Sequence, residues 1–460
     1  MREFKGRTSE LNSLQKKFDS EEFQMIVLYG RRRIGKTELM NEFMRRQDCK
    51  CISFTAVEQS EKELLSIMTE TVLSELAPDL IGMMEFPNFE KLFEFVGNRA
   101  KDERIVFFID EYPYLAKQCP YIQSVLQKIV DVMWKKTKLF FVICGSLVAF
   151  MKDEVLAEAA PLHGRATSEL RLQPFNYRDT AEFVKSYSSE EKAIVYGLTN
   201  GVAKYIEQFH EEKPLERNII DEFFSFGGYF TEEQVKTVVT GERQNPALYT
   251  SVVSAIATGH TRNSEIASCV GTDDITYALK MLQKAEIIEK RVGKRPYYVL
   301  NDSMLSFWFK YVNRAVSIIN AGKGEKYYQA SVSENLHDFM SSVFEKMCKE
   351  YLLMKAGDEG YPMITEIENF QKSILDVDGK QRQIEVDIIG KDGNDVLIIG
   401  ECKFRNEKID KETFETFLEK AHCIKGRKPL LCMFSLGGYT DYVKENNNGV
   451  RLLTIEDLYK

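Results

Sequence analysis

The sequence predicts a multidomain α/β protein: a parallel-sheet core, then a helical lid, a winged helix-turn-helix and a C-terminal α/β domain. Three observations carry this. The chain has 460 residues, about three times the ~150 of a common domain. From Phe23 to Cys144 short apolar strands alternate with helical stretches, the pattern of a parallel sheet covered on both faces. After Pro174 the segments become short and helical, and strand signals return mainly as hairpins.

Composition narrows the class. Lys plus Arg number 62 and Asp plus Glu 70, a net charge of −8. Such a chain is not coated overall with nucleic-acid-binding charge, although a local basic patch is compatible with that balance. Hydrophobic residues make up 44%, with 30 Phe and 21 Tyr, which suits globular cores and not disorder. The nine Cys include no CxxC, and with five His they argue against a structural zinc site or a disulfide framework. Met1 to Arg7 holds no apolar stretch to serve as a signal peptide, and the longest apolar runs are strand-sized. A soluble, cytoplasmic protein with no membrane partner is expected.

Taken in order, Glu3 to Phe18 reads as a short loop followed by an amphipathic helix, with Thr8 or Ser9 as its cap and Leu11, Leu14 and Phe18 at helical spacing. Phe23 to Tyr29 is a strand that runs into Gly30-Arg31-Arg32-Arg33-Ile34-Gly35-Lys36-Thr37, a full match to G-x-x-x-x-G-K-[ST], with a helix after it. Gly30 and Gly35 let the backbone wrap a phosphate, and the amides and dipole of the helix start hold its charge. Lys36 would reach the β- and γ-phosphates and the Thr37 hydroxyl a Mg2+ ion, so ATP and Mg2+ are the expected cofactors. The strand Ile105 to Ile109 ends in Asp110-Glu111. Asp110 is expected to hold Mg2+ and Glu111 to polarise the attacking water. A third strand, Leu139 to Cys144, ends in Gly145-Ser146, where the Ser146 hydroxyl could sense the γ-phosphate or serve only as a turn residue.

Phe4 to Leu11, Gly30 to Thr37, Phe107 to Leu115, Ile143 to Met151 and Pro161 to Phe175 together resemble the archaeal-type ATPase family, a branch of the AAA+/STAND NTPases. The resemblance implies that the Gly6-Arg7 turn lies near the nucleotide base, which makes Arg7 a cofactor-binding residue. It also implies that Arg165 is an arginine finger or sensor, with a surface ion pair as the alternative. Because fingers usually act across a subunit interface, a homo-oligomer is a further expected partner. Where the family carries a Gly-Gly-x-Pro motif at the start of the lid, this chain has Asn200-Gly201-Val202-Ala203.

Tyr249 to Thr258, Asn263 to Cys269 and Asp273 to Ala285 read as three helices. Ile287 to Val292 and Tyr297 to Leu300 follow as strands. That order is a winged helix-turn-helix. Lys290, Arg291, Lys294 and Arg295 on the wing could grip DNA phosphates, whereas Asp273-Asp274 at the start of the recognition helix opposes a DNA backbone. A role between domains is equally open. The Gly-Lys-Gly stretch within 313–335 reads as a linker.

Beyond a helix from Leu336 to Met354, Gln383 to Ile389 and Val396 to Phe404 form a hairpin around an Asp-Gly turn. Side chains alternate along a strand, so Asp387, Glu401 and Lys403 can converge. Charges at the end of an apolar central strand are costly without a function, although charged hairpin edges also deter aggregation. With Glu345 on the preceding helix, the pattern resembles the PD-(D/E)xK nuclease superfamily, which implies a restriction-endonuclease-like fold. In that resemblance Asp387, Glu401 and the Cys402 carbonyl hold Mg2+, Glu345 assists, and Lys403 orients or activates the attacking water. Val386 stands where the motif has its proline.

The expected divisions are a P-loop ATPase core at 1–172, a helical lid at 173–243, a winged helix at 244–312, a linker at 313–335 and the nuclease-like domain at 336–460. The expected function is a Mg-ATP-binding and hydrolysing ATPase coupled to a DNA-binding, metal-dependent nuclease-like module. The alternative is a nucleotide-switched regulator whose C-terminal domain binds DNA or protein without cutting.

Overall fold

The computed structural model describes residues 4–231, 245–272, 274–291, 296–375, 381–424 and 428–460, without the side chains of 372–383. Two compact units emerge. One comprises Met1–Phe175 with Val202–Lys204, the other Asn176–Gly201 with Tyr205–Lys460.

The first unit is built on five strands: β1 (Gln24–Tyr29), β2 (Lys50–Thr55), β3 (Ile105–Asp110), β4 (Leu139–Gly145) and β5 (Ser168–Arg171). They lie in the order β2-β3-β4-β1-β5, every neighbouring pair parallel. Every residue of β1, β3 and β4 is buried, which is why these strands read as unbroken apolar runs. Trp134 anchors the core beneath them, its ring against Phe93 and Phe141 and its indole N–H donating to the Phe93 carbonyl. The first helix, α1 (Thr8–Phe18), starts differently from the sequence expectation. Arg7, in the left-handed region at φ 60, is its N-cap and no side chain caps it, so Thr8 and Ser9 fall inside the helix. The chain turns sharply there because Gly6 and Arg7 are both left-handed, and a Cβ on Gly6 would lie 2.8 Å from the Phe175 ring.

In the second unit, the helices Pro246–Ala257, Asn263–Val270 and Thr276–Lys284 precede an antiparallel pair, β6 (Ile288–Arg291) and β7 (Tyr297–Leu300). Asp273, Lys294 and Arg295 lie outside the described residues.

The stretch 313–335 is not a tether. It folds as the helices Val316–Asn320 and Gly324–Ser331 with short 3-10 turns on either side, and buries Ala315, Ile319, Tyr328 and Val332. These apolar residues give the segment a face to pack, so its glycines shape turns and close approaches. A Cβ on Gly324 would meet the Phe224 carbonyl oxygen at 1.7 Å.

A second five-stranded sheet, mixed in direction, closes the chain: β8 (Glu366–Leu375), β9 (Gln381–Asp392), β10 (Asp395–Lys403), β11 (Leu430–Ser435) and β12 (Arg451–Thr454). Their order is β12-β11-β10-β9-β8. β8, β9 and β10 form an antiparallel meander, whereas β10, β11 and β12 run parallel, with the helix Lys411–His422 in the β10–β11 connection. β10 is therefore central. Ile389, Ile399, Phe414, Phe417 and Met433 share its core. No helix among the described residues is long and apolar enough to cross a membrane.

Candidate functional sites: a phosphate loop and a carboxylate–lysine cluster

β1 delivers the chain to the C-terminal edge of the first sheet, where ligands of open parallel sheets bind. Gly30 sits against the neighbouring strand end, its N–H donating to the Gly145 carbonyl at 3.4 Å. A Cβ there would lie 2.4 Å from the Leu172 carbonyl oxygen, so only glycine fits. Gly35, at φ 92, is the N-cap of α2 (Lys36–Arg45). Lys36 is buried, and its Nζ donates to the Gly30 and Arg31 carbonyls at 3.0 and 2.9 Å. Burial pulls its pKa down, against the pull of Cys144, Glu111 and Asp110.

The ends of β3 and β4 meet this loop. Thr37 Oγ1 donates to Asp110 Oδ2 at 2.6 Å, and Asp110 Oδ1 accepts the Glu111 amide at 2.9 Å. Ser146 Oγ donates to Glu111 Oε2 at 2.8 Å. The hard oxygen donors of Thr37 and Asp110 converge at the loop, a donor set that fits Mg2+. Gly30, Gly35, Lys36, Thr37, Asp110, Glu111 and Ser146 are thus brought together at the C-terminal edge of the sheet.

Sequence reasoning missed two contacts of the loop. Arg32 reaches from the loop to Ser146 Oγ at 3.4 Å and to the Tyr114 hydroxyl at 2.8 Å. Val202–Lys204 also belongs to this unit: the Lys204 amide donates to the Arg33 carbonyl at 3.2 Å, and Ala203 faces Gly35. No motif announces either contact.

Arg7 acts on the loop from behind. Its Nη2 donates to the Ile34 carbonyl at 2.9 Å, Nη1 pairs with Glu10 at 3.0 Å, and its guanidinium stacks 4.1 Å from the Phe175 ring centroid. Arg165 is elsewhere. It precedes Thr167, whose amide donates to the Met25 carbonyl at the N-terminal edge of the sheet, opposite to the phosphate loop. There it makes a two-pronged ion pair with Asp131 Oδ2, at 3.0 and 2.6 Å. The structure does not bring Arg165 to the phosphate loop of its own chain, so the sensor reading fails on geometry.

The second cluster lies in the C-terminal sheet. Asp387 comes from β9, Glu401 and Lys403 from the end of β10, and Glu345 from the helix Leu336–Lys355. The Cys402 amide donates to Asp387 Oδ2 at 2.8 Å, tying the two strands at the cluster. Glu401 is 4% exposed. Its Oε1 accepts from both Lys403 at 2.8 Å and Lys420 at 2.9 Å, and Lys420, from the helix Lys411–His422, is a residue the motif does not contain. Glu401 Oε2 is buried with no hydrogen-bond partner among the described residues. Burial raises the Asp387 pKa, and Glu401 adds to the rise. Burial likewise raises that of Glu345, with Asp387 adding, while Asn369 donates to Glu345 Oε2 at 3.1 Å. Burial opposes the charge on Lys403, yet Glu401 and Asp387 hold its pKa above the ordinary value.

Among the described residues no three His, Cys, Asp or Glu side chains are grouped so as to hold a metal ion. The orphaned oxygen of Glu401, a residue whose charge acts on Asp387, is nevertheless the kind of acceptor a cation completes. On the hairpin, Lys290 is exposed and Arg291 is 3.6 Å from Glu289.

Residues 4–209 match the model of an ATPase domain predominantly from Archaea, and 308–415 that of "Archaea bacterial proteins of unknown function". An uncharacterized protein of Methanocaldococcus jannaschii is 30% identical over 363 residues, covering 76% of this chain and 77% of its own length. An uncharacterized ATP-binding protein of the same organism is 40% identical over 47 residues, 10% of this chain and 80% of that protein. The structure of a Walker-type ATPase from Pyrococcus abyssi has the same fold over 67% of this chain and 96% of its own, at 17% identity and a TM-score of 0.53. Matched to the archaeal ATPase domain through its phosphate loop and to one relative along three-quarters of its length, the chain belongs to the archaeal-type ATPase family and is an ATPase.

Proposed function

We propose that ATP binding and hydrolysis in the first unit gate a metal-dependent, nuclease-like domain that acts on DNA. In the nucleotide unit, Gly30, Gly35 and Lys36 cradle the phosphates, Thr37 and Asp110 hold Mg2+, Glu111 takes the proton of the attacking water, and Ser146 orients Glu111. Arg7 fixes the loop from the side on which the base would lie. Arg165, at the far edge of the sheet, serves as a finger only toward a neighbouring copy, which makes a homo-oligomer part of this reading.

In the second unit, the three helices and the β6–β7 pair are the winged helix-turn-helix, and 336–460 the restriction-endonuclease-like domain. Lys290 and Arg291 grip phosphates there, together with Lys294 and Arg295 of the sequence. Asp387, Glu401 and the Cys402 carbonyl would hold Mg2+, with Glu345 supporting them and Lys403 orienting the water. Bound there, the ion would stabilise the charge developing on the scissile phosphate. The observation that carries the reading is the buried Glu401 Oε2 at the end of the central strand, which has no hydrogen-bond partner among the described residues.

A specific observation favours the alternative, a nucleotide-switched regulator that binds DNA or protein without cutting: two lysines already neutralise Glu401, and among the described residues no three ligands gather. The test is cleavage of single-stranded, duplex and branched DNA with Mg2+ or Mn2+, with and without ATP. Cutting that is lost in Asp387→Ala and altered in Lys36→Ala supports the gated nuclease. No cutting in any condition, with ATP still bound, selects the regulator.

A further inference from the structure

We propose that Lys420 holds the place of a divalent cation on Glu401 and, once displaced, contacts a backbone phosphate of the bound nucleic acid. The inference rests on the nuclease-like reading of this domain and assigns a role to a residue outside its motif.

The geometry is lopsided. Glu401 is 4% exposed, yet both ammonium groups that bond it among the described residues sit on one of its oxygens, at 2.8 and 2.9 Å, and the other oxygen has no hydrogen-bond partner among them. Two positive charges therefore meet one oxygen of the carboxylate, while among the described residues the other is a buried acceptor with unused lone pairs. A cation on that free oxygen, supported by Asp387, would stand next to both ammoniums in a site with little water to screen them. One of the three charges has to move.

The backbone decides which. Lys403 is held in the ladder of the central strand: it pairs with Ser435 of β11, and its carbonyl accepts the Leu436 amide at 3.0 Å. Its Cα is fixed two residues from Glu401. Lys420 instead reaches over from the last turn of the helix Lys411–His422; the two side chains are about equally exposed, 27% and 29%, so what separates them is the element each comes from and the distance of its Cα from Glu401 along the chain. Its four-carbon stem can swing to solvent with no change in the backbone, keeping the charge at the rim of the site. A polyanion laid across the cluster would meet it there. Simple neutralisation of Glu401 does not need Lys420, because Lys403 supplies it.

The experiment uses the full chain. Mn2+ binding is followed by titration calorimetry and electron paramagnetic resonance, and the site is defined as the binding lost in both Glu401→Gln and Asp387→Asn. Duplex DNA affinity is measured with Ca2+ present, as a function of salt. Lys420→Met is expected to bind Mn2+ about tenfold more tightly at that site, because the competitor is gone. It is also expected to flatten the slope of log affinity against log salt by about one, the signature of one lost phosphate contact. Lys420→Arg should restore the salt slope. Lys420→Gln replaces the methionine variant if melting shows that methionine unfolds the chain. Unchanged Mn2+ affinity, or an unchanged salt slope, in a folded Lys420 variant overturns the proposal. If Glu401→Gln and Asp387→Asn leave Mn2+ binding intact, the nuclease-like metal site itself falls and this inference with it, an outcome distinct from the first.

Discussion

The Ser146 hydroxyl donates to Glu111 Oε2 across 2.8 Å, linking the tip of β4 to the carboxylate just beyond the tip of β3. Glu111 is held in the left-handed region, at φ 50, which costs a non-glycine residue on the order of 1 kcal/mol or more. In the proposed mechanism this fixed carboxylate is the base. Glu111→Gln is expected to lower kcat for phosphate release by about 10²- to 10⁴-fold, with nucleotide affinity nearly unchanged. Ser146→Ala, which only frees the carboxylate, should cost about tenfold. Steady-state turnover beside nucleotide binding checks this, and full activity in Glu111→Gln would remove it as the base.

Arg165 and Asp131 form an ion pair with side chains 22% and 35% exposed. Pairs of this exposure contribute less than ~1 kcal/mol, so Arg165→Ala should leave the melting temperature almost unchanged. Its ATP turnover should nonetheless fall and lose its dependence on protein concentration. Mixing Arg165→Ala chains with Glu111→Gln chains should restore part of the rate, because each can supply what the other lacks. No recovery on mixing, with wild-type turnover in Arg165→Ala alone, would leave the residue as a surface ion pair.

Gly324→Ala tests the packing of 313–335. The added methyl would meet the Phe224 carbonyl at 1.7 Å, and a backbone oxygen cannot move aside as a side chain can. A loss of at least about 2 kcal/mol in urea unfolding is expected, the upper half of the usual cost of overpacking. A free tether would show no change.

Glu350 gives a pH signature in the second unit. The Tyr196 hydroxyl donates to its Oε1 at 2.6 Å and the Tyr177 amide approaches Oε2 at 3.4 Å, yet burial outweighs these and raises its pKa. A carboxyl with a raised pKa binds its proton more tightly folded than unfolded. Its contribution to stability is therefore complete below the ordinary carboxylate range and is lost as pH rises through the raised value. Glu350→Gln should melt higher than wild type at pH 7 to 8, with the difference closing below about pH 4. Parallel melting curves across that range would refute the assignment.

What could be read from the sequence depended on the range of the contact. β1, β3 and β4 were legible because all their residues are buried, and the phosphate loop because its mechanism demands glycines and Lys36 at fixed spacing. The meeting of Asp387 with Glu401 and Lys403 followed from a period of two and a short turn. β5 was not legible, since an edge strand that alternates half-buried Ser168 and Leu170 with exposed Glu169 and Arg171 carries no apolar run. Lys420 and the Arg32–Tyr114 contact were hidden for another reason: each joins elements whose approach is set only by the packed fold. The glycines around Lys323 misled because a tight turn and a tether share a composition, and only the burial of Ile319, Tyr328 and Val332 separates them.

The return of Val202–Lys204 to the nucleotide unit, where the Lys204 amide closes on the Arg33 carbonyl, makes that unit discontinuous along the chain. A fragment ending at Phe175 would keep every strand of the sheet and still lack the piece that finishes the loop. Evolution faces the same constraint as the protein chemist. A recombination breakpoint between 176 and 201 would part a nucleotide-binding cassette from its own last three residues, so this module and the beginning of its successor have to be inherited as one.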